Sequence, residues 1–282
     1  MFGYKEAEAE RLSPFNDDDT VNGQKCRFKA WFGLFAQRYL QLCKKEVKIM
    51  SEYLFEMHAH TNDVSRCAVS TPEELAEYYK KTDYAGIVLT NHMNPWTFKI
   101  NDLESQPWEI RAEHFLSGYR HLKDAAGDDL IILLGMEIRF YNHPNDYLVY
   151  GVTEDFIKNN GDLMALNPKS FSKLAHENGL LFLQAHPFRR DMQVEDWKIL
   201  DGYEVFNGNP RHYSSNEIAE EWAKMHNKSI VVSGSDFHQE EDVAHGGIYF
   251  NEPVNNNDDL LRQLRSGSYR LKKIDLIHTR EE

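Results

Sequence analysis

The chain has 282 residues, 41% hydrophobic and 27% charged, which suits one large or two small globular domains and excludes a disordered tail. A net charge of −13 repels phosphate backbones, so nucleic acid held by bulk charge is excluded and no stable nucleic-acid partner is expected. Three cysteines, at 26, 43 and 67, form neither a disulfide framework nor a zinc knuckle, and no apolar run reaches the roughly 20 residues that cross a bilayer. A cytoplasmic protein without a membrane partner is expected.

Residues 1–49 read as an extension, acidic and polar at first and then basic and aromatic up to Met50. Three readings stand for it: a docking helix, a membrane-surface contact, or sequence that is not native. The last has a concrete motive, because codons for Lys45-Glu46-Val47 can form a bacterial ribosome-binding sequence shortly before Met50. Residues 50–282 are the domain expected to carry the chemistry.

From residue 53 the pattern is regular. YLFEMHAH predicts a strand, and STPEELAEYYKK a helix whose start is marked by Thr71 as cap, Pro72 in the first turn and Glu74 completing a capping box. Further strands are predicted at YAGIVLTNH, DLIILLGMEIRF, NDYLVYGV, GLLFLQAHPF, DGYEVFNG and KSIVVSGSDFH, seven in all. Helices are predicted over 168–178, stopped by Gly179, and over 215–225, with Ile218, Trp222 and Met225 at helical spacing. Residues 94–124 read as a loop and a helix at the sheet edge. Alternation of strand and helix predicts an α/β fold with a parallel sheet, open or closed into a barrel.

The chemistry lies at strand ends. His58 and His60 close the first strand, His92 the second, Glu137 the third, His186 the fifth, and Asp236 with His238 the seventh. C-terminal strand ends converge in such folds, so these seven side chains are expected to meet. Residues i and i+2 of a strand share a side, which lets both imidazoles of His58-Ala59-His60 reach one ion, and Asp236-Phe237-His238 repeats the spacing. Imidazole and carboxylate without cysteine suit zinc, manganese or iron, and seven donors exceed one tetrahedral ion. Glu137 is a candidate bridge between two ions. The other histidines, 114, 121, 143, 176, 212, 226, 245 and 278, read as ordinary surface or core residues, and Cys67 as an inert thiol.

In this order, HAHT, LTNH, GMEI, QAHP and GSDFH resemble the motifs of the PHP (polymerase and histidinol phosphatase) metallo-phosphoesterases, over roughly residues 53–275. The resemblance implies a distorted (β/α)7 TIM-like barrel with two or three divalent ions at the C-terminal strand ends. It implies that His58, His60, Glu137 and Asp236 hold one ion, that Glu137 bridges, and that His92, His186 and His238 serve the others. Three departures are visible: Asn91 stands where the family has Asp, the loop NDVSRC lacks a histidine found in some members, and Asp146 stands where others have a ligand histidine.

The expected function is hydrolysis of a phosphate monoester of a small metabolite or nucleotide by metal-activated water, with Arg189 and Arg139 binding the phosphate. No glycine-rich phosphate loop occurs. The alternatives are a metal-dependent amidohydrolase, which would be expected to supply a bridging lysine from a middle strand where none is found, and a non-catalytic PHP-like binding module. The sequence carries no signal for an oligomeric state.

Overall fold

The computed structural model describes residues 52–274 except residue 229, so the readings for 1–49 and for His278 lie outside the described residues. In chain order the strands are β1 (Tyr53–Ala59), β2 (Tyr84–Leu89), β3 (His92–Met93), β4 (Ile131–Leu134), β5 (Met136–Ile138), β6 (Tyr147–Tyr150), β7 (Leu181–Gln184), β8 (Gly202–Asn207), β9 (Ile230–Gly234), β10 (Gly246–Phe250) and β11 (Tyr269–Lys273). The helices are α1 (Pro72–Lys80), α2 (Pro95–Ile100), α3 (Trp108–Ala126), α4 (Glu154–Asn159), α5 (Pro168–Glu177), α6 (Asn216–Met225) and α7 (Asn257–Ser266). None of the described helices is long and apolar enough to cross a membrane.

The strands form two sheets, in the orders β11-β10-β1-β2-β4 and β3-β5-β6-β7-β8-β9. Two predicted strands are each cut in two where the chain passes from the first sheet to the second. YAGIVLTNH breaks at Thr90 and Asn91, and DLIILLGMEIRF at Gly135. Pairing persists across the break, since Gly135 N donates to Leu89 O at 2.9 Å and Glu137 N to Asn91 O at 3.2 Å. Glycine is required there, because a Cβ at 135 would lie 2.8 Å from Val88 Cγ1. Elsewhere the sheets meet where Ala59 pairs in parallel with Phe237, just beyond β9. The α/β class is as expected, while the hydrogen-bonded ladders fall into two sheets and not one continuous ring.

Nor is the sheet all parallel. β6 runs antiparallel to both β5 and β7. Only residues 139–146 separate β5 from β6, too few for the crossover that a parallel pair needs. β10 and β11, absent from the sequence reading, extend β1 as antiparallel strands. Their sequences, GGIYF and YRLKK, hide them: one opens on two glycines and the other alternates with charged residues.

Apolar burial explains the layering. Phe55, Met57, Val88 and Leu133 of the first sheet share one cluster with Leu148, Leu183 and Val232 of the second, so the sheets enclose a common interior. A second cluster lies under α1, where Leu75, Ala76 and Tyr79 meet Ile87 and Ile132. The largest covers the second sheet, where Phe115, Phe171, Ala219 and Ala223 pack near Tyr147, Phe182 and Tyr203. The capping box of α1 forms as read, with Glu74 N donating to Thr71 Oγ1 at 3.2 Å and Thr71 N to Glu74 Oε2 at 2.9 Å. In α6 the buried face is Ala219 and Ala223, whereas Ile218 and Met225 are exposed. The interruption at 94–124 contains two helices, α2 and α3, with Trp108 Nε1 donating to Ile157 O at 2.9 Å.

Candidate metal centre

Backbone pairing delivers each candidate donor. His60 N donates to Phe237 O at 2.9 Å and Phe237 N to His58 O at 3.0 Å, binding the end of β1 to the segment that carries Asp236 and His238. His92 and Glu137 are direct partners in the β3–β5 ladder. Because β6 is antiparallel, its start lies beside the ends of β5 and β7, which brings Asp146 to the same place; Ala185 N donates to Asp146 O at 3.1 Å. His186 and Asp236 have positive backbone φ, 28° and 51°, conformations costly for non-glycine residues and typical of functional sites.

The seven side chains read from the sequence meet around Glu137 and Asp236. Glu137 Oε1 lies 3.4 Å from His58 Nε2 and 3.1 Å from His186 Nε2, and its Oε2 lies 3.4 Å from His60 Nε2 and 2.7 Å from His92 Nδ1. Asp236 Oδ1 is 3.3 Å from both His58 Nε2 and His60 Nε2, and 3.6 Å from His238 Nδ1. Donor atoms within 4.8 Å of one another form four overlapping groups: His60, His92 and His238; His58, His186 and Asp236; His58, His60 and Glu137; and Glu137, Asp146 and His186. Asp146, unassigned in the sequence reading, joins the last group.

These donors fit divalent ions on their own chemistry. His58 Nε2, both ring nitrogens of His60, His92 Nδ1, His186 Nδ1 and Glu137 Oε2 are buried and make no well-aligned hydrogen bond among the described residues, although several of them crowd one another at 2.7–3.4 Å. A buried polar atom left with no partner at all costs about 1–3 kcal/mol, so poorly aligned donors favour a ligand that binds them. Imidazole and carboxylate donors in overlapping groups suit divalent metal ions.

Electrostatics in the metal-free chain follow from burial and like-sided crowding. Burial disfavours charge on His58, yet Asp236, Glu204 and Glu137 overcome it and hold the imidazole well above its ordinary value. His60 is driven well below by burial and by neighbouring His92 and His238. Burial also opposes ionisation of Glu137 and Asp236; His58 and His92 outweigh it for the first, His58 and Arg189 for the second, and both carboxyls stay well below the usual range.

Behind the donors stand residues the sequence reading missed. Glu204, fully buried, accepts from His58 Nδ1 at 2.9 Å, His186 N at 2.9 Å and Asn207 Nδ2 at 3.1 Å. Asn207 also donates to Asp236 Oδ2 at 3.2 Å. Glu56 accepts from the backbone N of Met57, His58 and Ser235 and, at 2.5 Å, from the Tyr79 hydroxyl; burial raises its carboxyl pKa. The available signal was a lone carboxylate inside an apolar strand run, YLFEMHAH and DGYEVFNG.

The arginines are engaged. Arg189 Nη2 donates to Asp236 Oδ2 and Asn207 Oδ1, each at 2.8 Å, and to Ser214 Oγ at 3.2 Å, which sets its guanidinium against the donor cluster. Arg139 forms a two-pronged pair with Asp146. Asn91 Oδ1 accepts from Thr61 N at 2.8 Å and Ser65 Oγ at 2.9 Å, holding the loop after β1. Cys67, in that loop, is a free and exposed cysteine. Of the other described histidines, His121 pairs with Asp63 and His176 with Asp201.

Residues 214–269 match a family model described as PHP-associated. A search of curated protein sequences finds no significant match. Among solved structures the chain is similar to a two-domain Bacteroides vulgatus protein containing a predicted PHP-like metal-dependent phosphoesterase, with TM-score 0.56 and 16% identity over 79% of this chain and 65% of that one. It is similar to PsfC from Pseudomonas syringae, with TM-score 0.56 and 14% identity over 80% of this chain and 92% of that one. It is also similar to the lesion-specific endonuclease PfuEndoQ from Pyrococcus furiosus, with TM-score 0.51 and 13% identity over 78% of this chain and 57% of that one. The chain thus spans just under two thirds of the Bacteroides protein, and at these identities the likeness is one of fold.

Proposed function

We propose that the chain is a PHP-type metal-dependent phosphoric ester hydrolase, a reading supported by its match to a PHP-associated family model over 214–269 and by its fold. The observation that carries the reading is the convergence of four donor groups, sharing His58, His60, Glu137 and His186, with buried donor atoms that make no well-aligned hydrogen bond among the described residues. His58, His60, His92, Glu137, His186, Asp236 and His238 would hold the ions, two or three of zinc, manganese or iron, and Asp146 is a further donor. Bound ions would supply Lewis acidity toward water and toward the phosphoryl oxygens. Glu204 keeps His58 oriented by accepting from Nδ1, which leaves Nε2 facing Glu137 and Asp236. Arg189, held by Ser214, Asn207 and Asp236, is the phosphate-binding side chain in this reading, and Arg139 the second.

The two sheets and their shared interior are read as the halves of a distorted barrel, with activity residing in residues 50–282 of a cytoplasmic protein. A small phosphomonoester is the favoured substrate, because a net charge of −13 disfavours a polyanion. Fold likeness to an endonuclease supports a second reading, cleavage of a phosphodiester in DNA.

Elemental analysis of the full chain, with hydrolysis of p-nitrophenyl phosphate, bis-p-nitrophenyl phosphate and abasic duplex DNA before and after chelation, separates these. Bound zinc, manganese or iron with chelator-sensitive turnover of the monoester is expected. Preference for the diester or DNA would favour the second reading, and neither metal nor turnover after add-back would overturn both.

A further inference from the structure

We propose that Arg211 is a positioning residue for the metal centre, acting through Asp242 on the backbone of His238. The inference rests on the metal-dependent reading above. Asp242 is fully buried, and a buried carboxylate is costly unless charge and hydrogen bonds satisfy it. Its Oδ2 accepts from His238 N at 2.8 Å and Gln239 N at 3.1 Å, so the carboxylate fixes the peptide that carries the imidazole. Arg211 supplies the counter-charge as a two-pronged pair, Nη1 donating to Oδ1 and Nη2 to Oδ2, the latter at 2.8 Å. His238 Nδ1 in turn lies 2.8 Å from Asp236 O. A carbonyl only accepts, so in the neutral ring Nδ1 carries the proton and Nε2 keeps the lone pair that an ion needs.

Arg211 reaches Asp242 from a different part of the chain, the segment 208–214 between β8 and α6. Gly208 N donates to Gly234 O at 2.8 Å, Asn209 Nδ2 to Asp236 O at 3.0 Å and Arg211 N to Asn209 Oδ1 at 3.0 Å. These bonds hold the segment against the end of β9 and the residues that follow it. Its last residue, Ser214, accepts from Arg189, the phosphate-binding side chain in the reading above. One segment thus fastens Asp236, His238 and Arg189, and the Arg211–Asp242 pair is its link to His238. Lysine at 211 would keep the charge but lack the planar fork that meets both carboxylate oxygens.

The test is calorimetric titration of the full chain with zinc, comparing wild type with Arg211→Met and His238→Ala with the variant that carries both changes. Arg211→Met is expected to weaken zinc binding about tenfold or more for at least one bound ion. In the His238→Ala background the same change is expected to add no further loss, because the ring it positions is gone. A merely structural role would weaken zinc binding in both backgrounds alike. Such a further loss, or a folded Arg211→Met whose zinc affinity stays within about twofold of wild type, overturns the positioning role while leaving the metal reading intact. Wild type that binds no zinc overturns both. Should Arg211→Met not fold, Arg211→Lys takes its place under the same criteria.

Discussion

Glu204→Gln tests whether a residue that touches no ion in the proposed arrangement sets the affinity for one. In the wild type Oε1 accepts from His58 Nδ1 while Oε2 accepts from His186 N and Asn207 Nδ2. Glutamine keeps the volume but offers one acceptor and one amide donor. If its oxygen keeps the two bonds on the Oε2 side, its NH2 faces His58 Nδ1 and drives the ring proton to Nε2. That nitrogen lies 3.4 Å from Glu137 and 3.3 Å from Asp236, where an ion would be held, so the proton competes with the metal. Loss of such an orienting partner weakens metal binding about 10- to 100-fold, or about 1.4–2.7 kcal/mol. The metal-induced rise in melting temperature should shrink by about 3–10 °C for a domain of this size. Calorimetric titration with zinc and thermal melts with and without metal measure both. A folded Glu204→Gln whose affinity stays within twofold of wild type would refute the orienting role.

Other expected outcomes follow from the same geometry. His60→Ala should lower hydrolysis about 100-fold or more, with circular dichroism unchanged, and should shift the melt of metal-loaded protein more than that of metal-free protein, because the ring's nitrogens make no well-aligned hydrogen bond among the described residues. Tyr79→Phe keeps the ring but removes the 2.5 Å bond to buried Glu56, and urea denaturation should find about 1–3 kcal/mol lost; an unchanged midpoint would mean that Glu56 is satisfied otherwise. Thr71→Ala removes the acceptor for Glu74 N and should cost about 0.5–2 kcal/mol by the same assay, with metal content per folded chain unaltered.

Periodicity and punctuation were readable locally. Pro72 with the Thr71–Glu74 box marks the start of α1, and Gly179, at φ 72°, follows the end of α5. Donor chemistry was readable too, because His, Asp and Glu at the ends of apolar strands are costly to bury for packing alone. Glu204 and Glu56 were equally polar in equally apolar strands, but they close no strand, so position at an end was the wrong filter for them. In α6, Ile218 and Met225 have helical spacing, yet the small Ala219 and Ala223 are the buried residues.

What the sequence by itself determined was the set of strands that carry metal-type donors, because side-chain identity and local hydrophobic pattern are properties of short stretches. What only the tertiary structure decided was which donors share a group. The break at Gly135 passes the chain between sheets, the antiparallel β6 delivers Asp146, and the loop after β1 is pinned to His238 through Val69 N and Ser70 N. Such neighbours are set by pairing and burial across distant segments, which no local pattern encodes.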